Sequence, residues 1–167
     1  MPMPSQQEHV AAPAIEALSQ AALTDYIEVH YHAMHRRELA QLTALAEQVE
    51  LDHARHPAVP KGLAALLDAT AVELENHMRK EEWVLFPALR RGARGDMIDG
   101  PVGVMRHEHD DHTWRLAQIR ERAGNFELPP DASDTWAALY RGLRKLEHDL
   151  LEHIHIENEL LFARAVS

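Results

Sequence analysis

His77-Met78-Arg79-Lys80-Glu81 runs into Leu85-Phe86, and His153-Ile154-His155-Ile156-Glu157 runs into Leu161-Phe162. Both stretches read His-x-x-x-Glu, then Leu-Phe at the same offset. Residues four apart on an α-helix lie one turn above each other on one face, so each stretch offers one imidazole and one carboxylate to a common point. Two such helices facing each other can hold two metal ions, the carboxylates bridging and the histidines capping. Mixed nitrogen and oxygen donors suit iron. The pair therefore implies a di-metal centre inside a helical bundle.

The rest of the chain supplies the other helices. Residues 1–22, with Pro2, Pro4 and Pro13, read as a loose lead-in, and 23–167 as one helical domain. Thr24 is the expected N-cap of a first helix running to Val49 or Leu51, ended by the loop through His53, His56, Pro57 and Pro60. A second helix runs from about Lys61, with Pro60 at its start, to Arg91, where Pro87 bends its last turn and Gly92 stops it. Pro101 opens a third, lasting to Arg122 or Ala123. Asp131 or Ser133 caps a fourth that ends near Arg164. Four helices on short loops predict an all-α, up-down-up-down four-helix bundle.

Each helix carries an apolar stripe, and on each stripe there are histidines. The stripes are His32, His35, Leu39, Leu42, Ala46 and Val49; Leu63, Leu67, Thr70, Leu74, His77, Glu81 and Leu85; Val102, Met105, His109, His112, Leu116 and Ile119; and Trp136, Leu139, Leu143, Leu146, Leu150, His153, Glu157 and Leu161. Burying that many ionisable groups is costly unless something satisfies them, and a metal does so where a dry core does not. Under this topology all four helices can bring ligands to one layer. His53 is the exception, standing roughly 31 Å beyond His32 along a continuous helix at about 1.5 Å per residue.

Composition removes other classes. Of 167 residues, 13 are His and none is Cys, which excludes disulfides, thiolate-held iron–sulfur clusters and cysteine zinc fingers. A net charge of -10 with scattered Lys and Arg argues against a nucleic-acid binder. No apolar run approaches membrane length and no signal-peptide pattern is present, so a cytoplasmic protein is expected. The zinc-protease pattern His-Glu-x-x-His fails because Asp111 stands where the second His would be. The ferritin-type Glu-x-x-His occurs once, Glu50 with His53, at a helix end.

His9, His30, His56, His107, His148 and His155 read as surface residues. His35 and His112 lie on stripes, each as an extra ligand or as a hydrogen-bond partner of one. Glu73 and Glu108 can orient ligands, relay protons or face water, and water is the preferred reading.

Taken together, Tyr31-His32-x-x-His35-Arg36, Val59-Pro60-Lys61-Gly62-Leu63, His77-Met78-x-Lys80-Glu81-Glu82 with Leu85-Phe86-Pro87, Glu108-His109-Asp110, and His153-Ile154-x-x-Glu157-Asn158 with Leu161-Phe162 form a pattern over residues 24–166. It resembles the hemerythrin-like proteins, and among them the repair-of-iron-centres (RIC) di-iron proteins of bacteria. The resemblance implies two non-haem iron ions, oxo- or hydroxo-bridged, held by His32, His77, Glu81, His109, His153 and Glu157, with the two glutamates bridging. His53 also matches a histidine of the pattern.

The resemblance further implies a role in nitrosative and oxidative stress: binding NO or O2, and repair of damaged iron–sulfur centres in partner proteins. A reversible O2-binding or sensing module without repair is the alternative, and a zinc or manganese protein a third reading. Two departures stand out. Hemerythrins carry a second histidine four after the third-helix ligand, where this chain has Thr113. RIC proteins often carry a small N-terminal domain with a cysteine pair, which this cysteine-free sequence does not contain.

Overall fold

Ser19, not Thr24, starts the first helix: its hydroxyl accepts the Ala22 N–H at 3.1 Å. Thr24 is instead buried on the inner face of that helix, its hydroxyl donating to the Ala21 carbonyl. The computed structural model describes residues 14–167; His9 and most of the expected lead-in lie outside them. Within the lead-in, a single 3-10 turn, Ile15–Ala17, precedes the helix.

The helices are α1 (Gln20–Ile27), α2 (Ala33–Asp52), α3 (Leu63–Lys80), α4 (Phe86–Arg90), α5 (Asp99–Arg122) and α6 (Asp134–Ile156). They make four rods. A π-turn over Glu28–His32 joins α1 to α2, and another over Glu81–Leu85 joins α3 to α4. α5 stands alone, and α6 ends in a third π-turn, Glu157–Phe162. α2 packs on α3 and α6, α3 on α5, and α5 on α6, while α1 covers α4. This is the expected up-down-up-down bundle, and no strand occurs among the described residues.

The second rod starts later than its prolines suggest. Gly62, at φ +77°, stands before Leu63, and the Glu50 carboxylate accepts the N–H groups of Gly62 and Ala64. A side chain thus caps orphan donors that Pro60 in the first turn would have removed. At the other end Pro87 fits the Phe86–Arg90 turn, having no N–H to bond back into the π-turn before it. Ser133 caps α6 by accepting the Trp136 N–H.

Every residue on the four stripes is buried. The interior divides in two. A larger apolar cluster holds Leu39, Leu67, Leu74, Leu116, Trp136, Leu143 and Leu150. A smaller one holds Leu23, Ile27, Phe86, Val102, Leu161 and Phe162 at the end where Ile15, Leu18 and Val166 pack. A polar layer lies between them. Apart from Thr24 and Thr70, whose hydroxyls bond their own helices, the buried polar residues described are His32, His35, His77, Glu81, His109, His112, His153 and Glu157. Two apolar cores thus clamp one layer of ionisable groups.

Two glycines test the packing. A Cβ on Gly142 of α6 would lie 2.5 Å from Leu42 Cδ2, a buried core atom, whereas one on Gly103 of α5 meets nothing within 4 Å. Overpacking costs about 1–3 kcal/mol, and replacing a helix-interior glycine by alanine returns about 0.5–1 kcal/mol. Chemical denaturation should therefore show Gly142→Ala less stable by about 1 kcal/mol and Gly103→Ala more stable by about 0.5–1 kcal/mol.

Candidate metal centre

The polar layer contains two groups of four donors. His32, Glu81, His153 and Glu157 offer atoms that all lie within 4.8 Å of one another, and so do His77, Glu81, His109 and Glu157. Glu81 and Glu157 belong to both groups. All six residues are at most 1% exposed. The sequence places them at one level, and the structure brings all six together.

Each imidazole is held from behind. His32 Nδ1 faces Glu82 Oε1 at 2.8 Å, His77 Nδ1 faces Glu108 Oε2 at 2.8 Å, and His109 Nδ1 faces Asn158 Oδ1 at 2.9 Å. His153 Nδ1 meets His35 Nε2 at 3.2 Å. A carboxylate or amide oxygen only accepts, so on His32, His77 and His109 the proton sits on Nδ1. In a neutral ring the Nε2 lone pair then points inward.

The inward contacts are close but are not all hydrogen bonds. His32 Nε2 stands 3.2 Å from Glu81 Oε2, His77 Nε2 3.2 Å from Glu81 Oε1, and His109 Nε2 2.9 Å from Glu157 Oε2. Yet His32 Nε2, both Glu81 oxygens and Glu157 Oε2 have no hydrogen-bond partner. His77 Nε2 and His109 Nε2 also face each other at 3.2 Å. Lone pairs converging at such distances repel unless a positive charge lies between them. That charge is a proton or a metal ion, and the donor set fits two ions bridged by two carboxylates. Each ion would draw two imidazoles and two carboxylate oxygens from the chain, leaving coordination positions open to small molecules.

Electrostatics agree. Burial alone would lower the His32 imidazole, but the Glu157 and Glu81 carboxylates reverse this and raise its pKa to about 10. Burial likewise lowers His77, and Glu81 outweighs it, giving about 9. Burial pushes Glu157 up, and the surrounding imidazoles hold it well below the usual carboxylate range. Without metal, two imidazolium protons therefore balance two carboxylates.

The remaining stripe histidines do not join the groups of four. His35 is a hydrogen-bond partner of His153, with Glu38 Oε2 3.8 Å from its Nδ1. His112 lies edge-on to His77, ring centroids 4.8 Å apart, with Nε2 unpartnered, and burial lowers its pKa to about 3. Thr113 donates its hydroxyl to the His109 carbonyl and is no ligand. His53 bonds Ser133 Oγ at 3.0 Å, in the loops at the opposite end of the bundle. His30, His107, His148 and His155 are exposed as expected; His56 is half-buried, bonding Asp131.

Sequence reasoning gave no orienting role to Glu82 or Asn158, and for Glu108 it preferred water to the orienting role. Glu108, read as solvated, holds His77 and pairs with Lys80, while Glu73 pairs with Arg115. Glu82 holds His32 and is itself held by Arg36 at 2.9 Å. Neither Glu82 nor Glu108 lies on a core stripe, so periodicity carries no sign of them. A third group, His148, Asp149 and Glu152, is clustered on the outside of α6, where Lys145 pairs with Asp149.

All three π-turns touch the centre. The first ends on His32, the second begins on Glu81 and the third on Glu157. Such wide turns concentrate at functional sites. Buried neighbouring pairs sit at these turns: Tyr31 with His32, Leu85 with Phe86, Leu161 with Phe162.

A four-helix bundle with a shared-glutamate, histidine-capped layer defines a class of metal-binding domain. Residues 23–165 match the family described as the Hemerythrin HHE cation binding domain, and the chain belongs to that family. It is 44% identical over 147 residues to the iron-sulfur cluster repair protein YtfE of Citrobacter koseri, a stretch covering 88% of this chain and 66% of that protein. The proteins of the same name from Escherichia coli O157:H7 and Escherichia fergusonii match with the same identity and coverage.

Metal and protons compete for the same lone pairs. His32 and His77, at about 10 and 9, are protonated at neutral pH, so loading must displace one proton from each. In the metal-free chain these raised values add stability that is complete below the unfolded value of 6.5 and is lost as pH rises through 9 to 10. Anaerobic calorimetric titration with ferrous ion, in buffers of different ionisation heat, should show about two protons released per chain at neutral pH. It should also show affinity rising with pH. Uptake without proton release would contradict the assignment.

Proposed function

We propose that His32, His153, His77 and His109 hold two iron ions bridged by Glu81 and Glu157. On this reading the chain is a di-iron protein of nitrosative and oxidative stress that supports repair of iron–sulfur centres in partner proteins. The observation that carries it is the pair of four-donor groups sharing both carboxylates. The name of the relatives, iron-sulfur cluster repair protein, supports the repair role.

The chain's own residues define what such a site does. Glu81 and Glu157 fix the spacing of the two ions and offset their charge. Glu82, Glu108, Asn158 and His35 fix the ring planes through Nδ1, so that the inward Nε2 of His32, His77 and His109 is the atom left for ligation once its proton is displaced. The apolar clusters above and below exclude bulk water. Iron bound here supplies open positions at which NO or O2 can bind. With Thr113 in place of a further histidine, each ion has few protein ligands, which favours release of iron to a partner over permanent retention. No helix among the described residues is long and apolar enough to cross a membrane; a cytoplasmic setting and a domain spanning 23–167 are part of this proposal.

The test is anaerobic loading with ferrous ion, metal analysis, and optical spectra after adding O2 or NO. Two irons per chain, NO binding, oxo-bridge bands on oxidation and no lasting oxygenated form are expected. Glu81→Ala and Glu157→Ala should each lose most of the iron, and His148→Ala none. Full iron in both glutamate variants would refute the bridging assignment, and a stable reversible O2 adduct would refute the repair reading.

A further inference from the structure

Aromatic rings lead from the metal layer to the surface. Tyr31, only 5% exposed, lies flat on His153, with ring centroids 5.0 Å apart and planes 10° from parallel. Tyr26, half-buried, meets Tyr31 edge-on at 6.1 Å and packs at 4.3 Å against the exposed ring of His30. Glu152, the residue before His153 on α6, is exposed to water beside this stack. Phenylalanine would fill the same space; the phenol adds an oxidisable ring and an ionisable hydroxyl. No other described tyrosine is near the site: Tyr140 packs against Trp136 and Phe126 in the larger apolar cluster.

We propose that Tyr31 and Tyr26 form a path that drains oxidising equivalents from the metal layer to the bundle surface. The proposal rests on the di-iron reading. Its occasion is hydrogen peroxide meeting a centre whose ions are already oxidised, so that the two electrons peroxide demands must come from the chain. Two phenols and one peroxide then give two phenoxyl radicals and two waters. The O–O bond and two phenolic O–H bonds break, and two new O–H bonds form. The peroxide oxygens are reduced, and each tyrosine loses one electron and one proton.

Tyr31 passes its electron through the stacked His153 ring and its proton to Glu152. Tyr26 then refills Tyr31, which serves a second time. A small thiol in solution restores the tyrosines, beginning at the accessible Tyr26 edge. The path spares the buried imidazoles and the buried Met78 and Met105 near them. Tyr31 acts through His153, so it is a positioning and relay residue and no metal ligand.

The test is to mix iron-loaded, oxidised protein with hydrogen peroxide, freeze it rapidly and record the electron paramagnetic resonance spectrum. A spin trap followed by peptide mass spectrometry then locates the radical. The unaltered chain should show a tyrosyl signal and a trapped adduct at Tyr26. Tyr31→Phe, which keeps the stack, should lose both, while Tyr26→Phe should keep a longer-lived radical on Tyr31 and lose the adduct. Iron content measured on the same samples separates the two readings. A chain without iron overturns both. Full iron with no radical, or an undiminished radical and Tyr26 adduct in Tyr31→Phe, overturns the relay alone.

Discussion

Two glutamate carboxylates with no solvent exposure lie in the middle of this bundle, and positive charge has to lie beside them. The helices cannot supply it from Lys or Arg, because none of those side chains is buried. The inward imidazoles do: in the metal-free chain His32 and His77 carry the protons that balance the two carboxylates. Much of the interior follows from this requirement. Ligands must come from all four rods at one level, so the apolar core is split into two clusters that clamp the layer. The orienting partners must then reach in from the half-buried rim, which is where Glu82, Glu108 and Asn158 stand.

The fold and the inner ligands were legible because both depend on one-dimensional periodicity. A stripe at helical spacing names its own buried members, and His32, His77, Glu81, His109, His153 and Glu157 are among the polar members of the four stripes, with His35, His112 and Thr70 beside them. The orienting residues were not legible in the same way. Glu108 is half-buried on α5 yet serves His77 on α3, and Glu82 on the second rod serves His32 on the first. Those pairings depend on how neighbouring rods cross, which spacing along one rod does not carry. The Leu-Phe pair after each glutamate was visible as core packing, and all four side chains are buried in the smaller apolar cluster, whereas the π-turns have no sign in the helical spacing.

Helix starts were misjudged for a local reason. Thr24 and Pro60 have the residue types that open helices, but Ser19 and the Glu50 carboxylate satisfy the orphan N–H groups instead. Glu50 acts across a loop from the end of α2, so its capping role is again a tertiary contact. Neither difference moves the metal layer, because the layer is set by the stripes and not by where the rods begin.

The account stands on Glu81 and Glu157 being shared between two ions. Anomalous X-ray diffraction at the iron edge, on crystals loaded anaerobically with ferrous ion, tests this most directly. The account predicts two peaks, one beside His32 and His153 and one beside His77 and His109, both in contact with the two glutamates. A single peak in the layer, or iron only at the surface group of His148, Asp149 and Glu152, would contradict it.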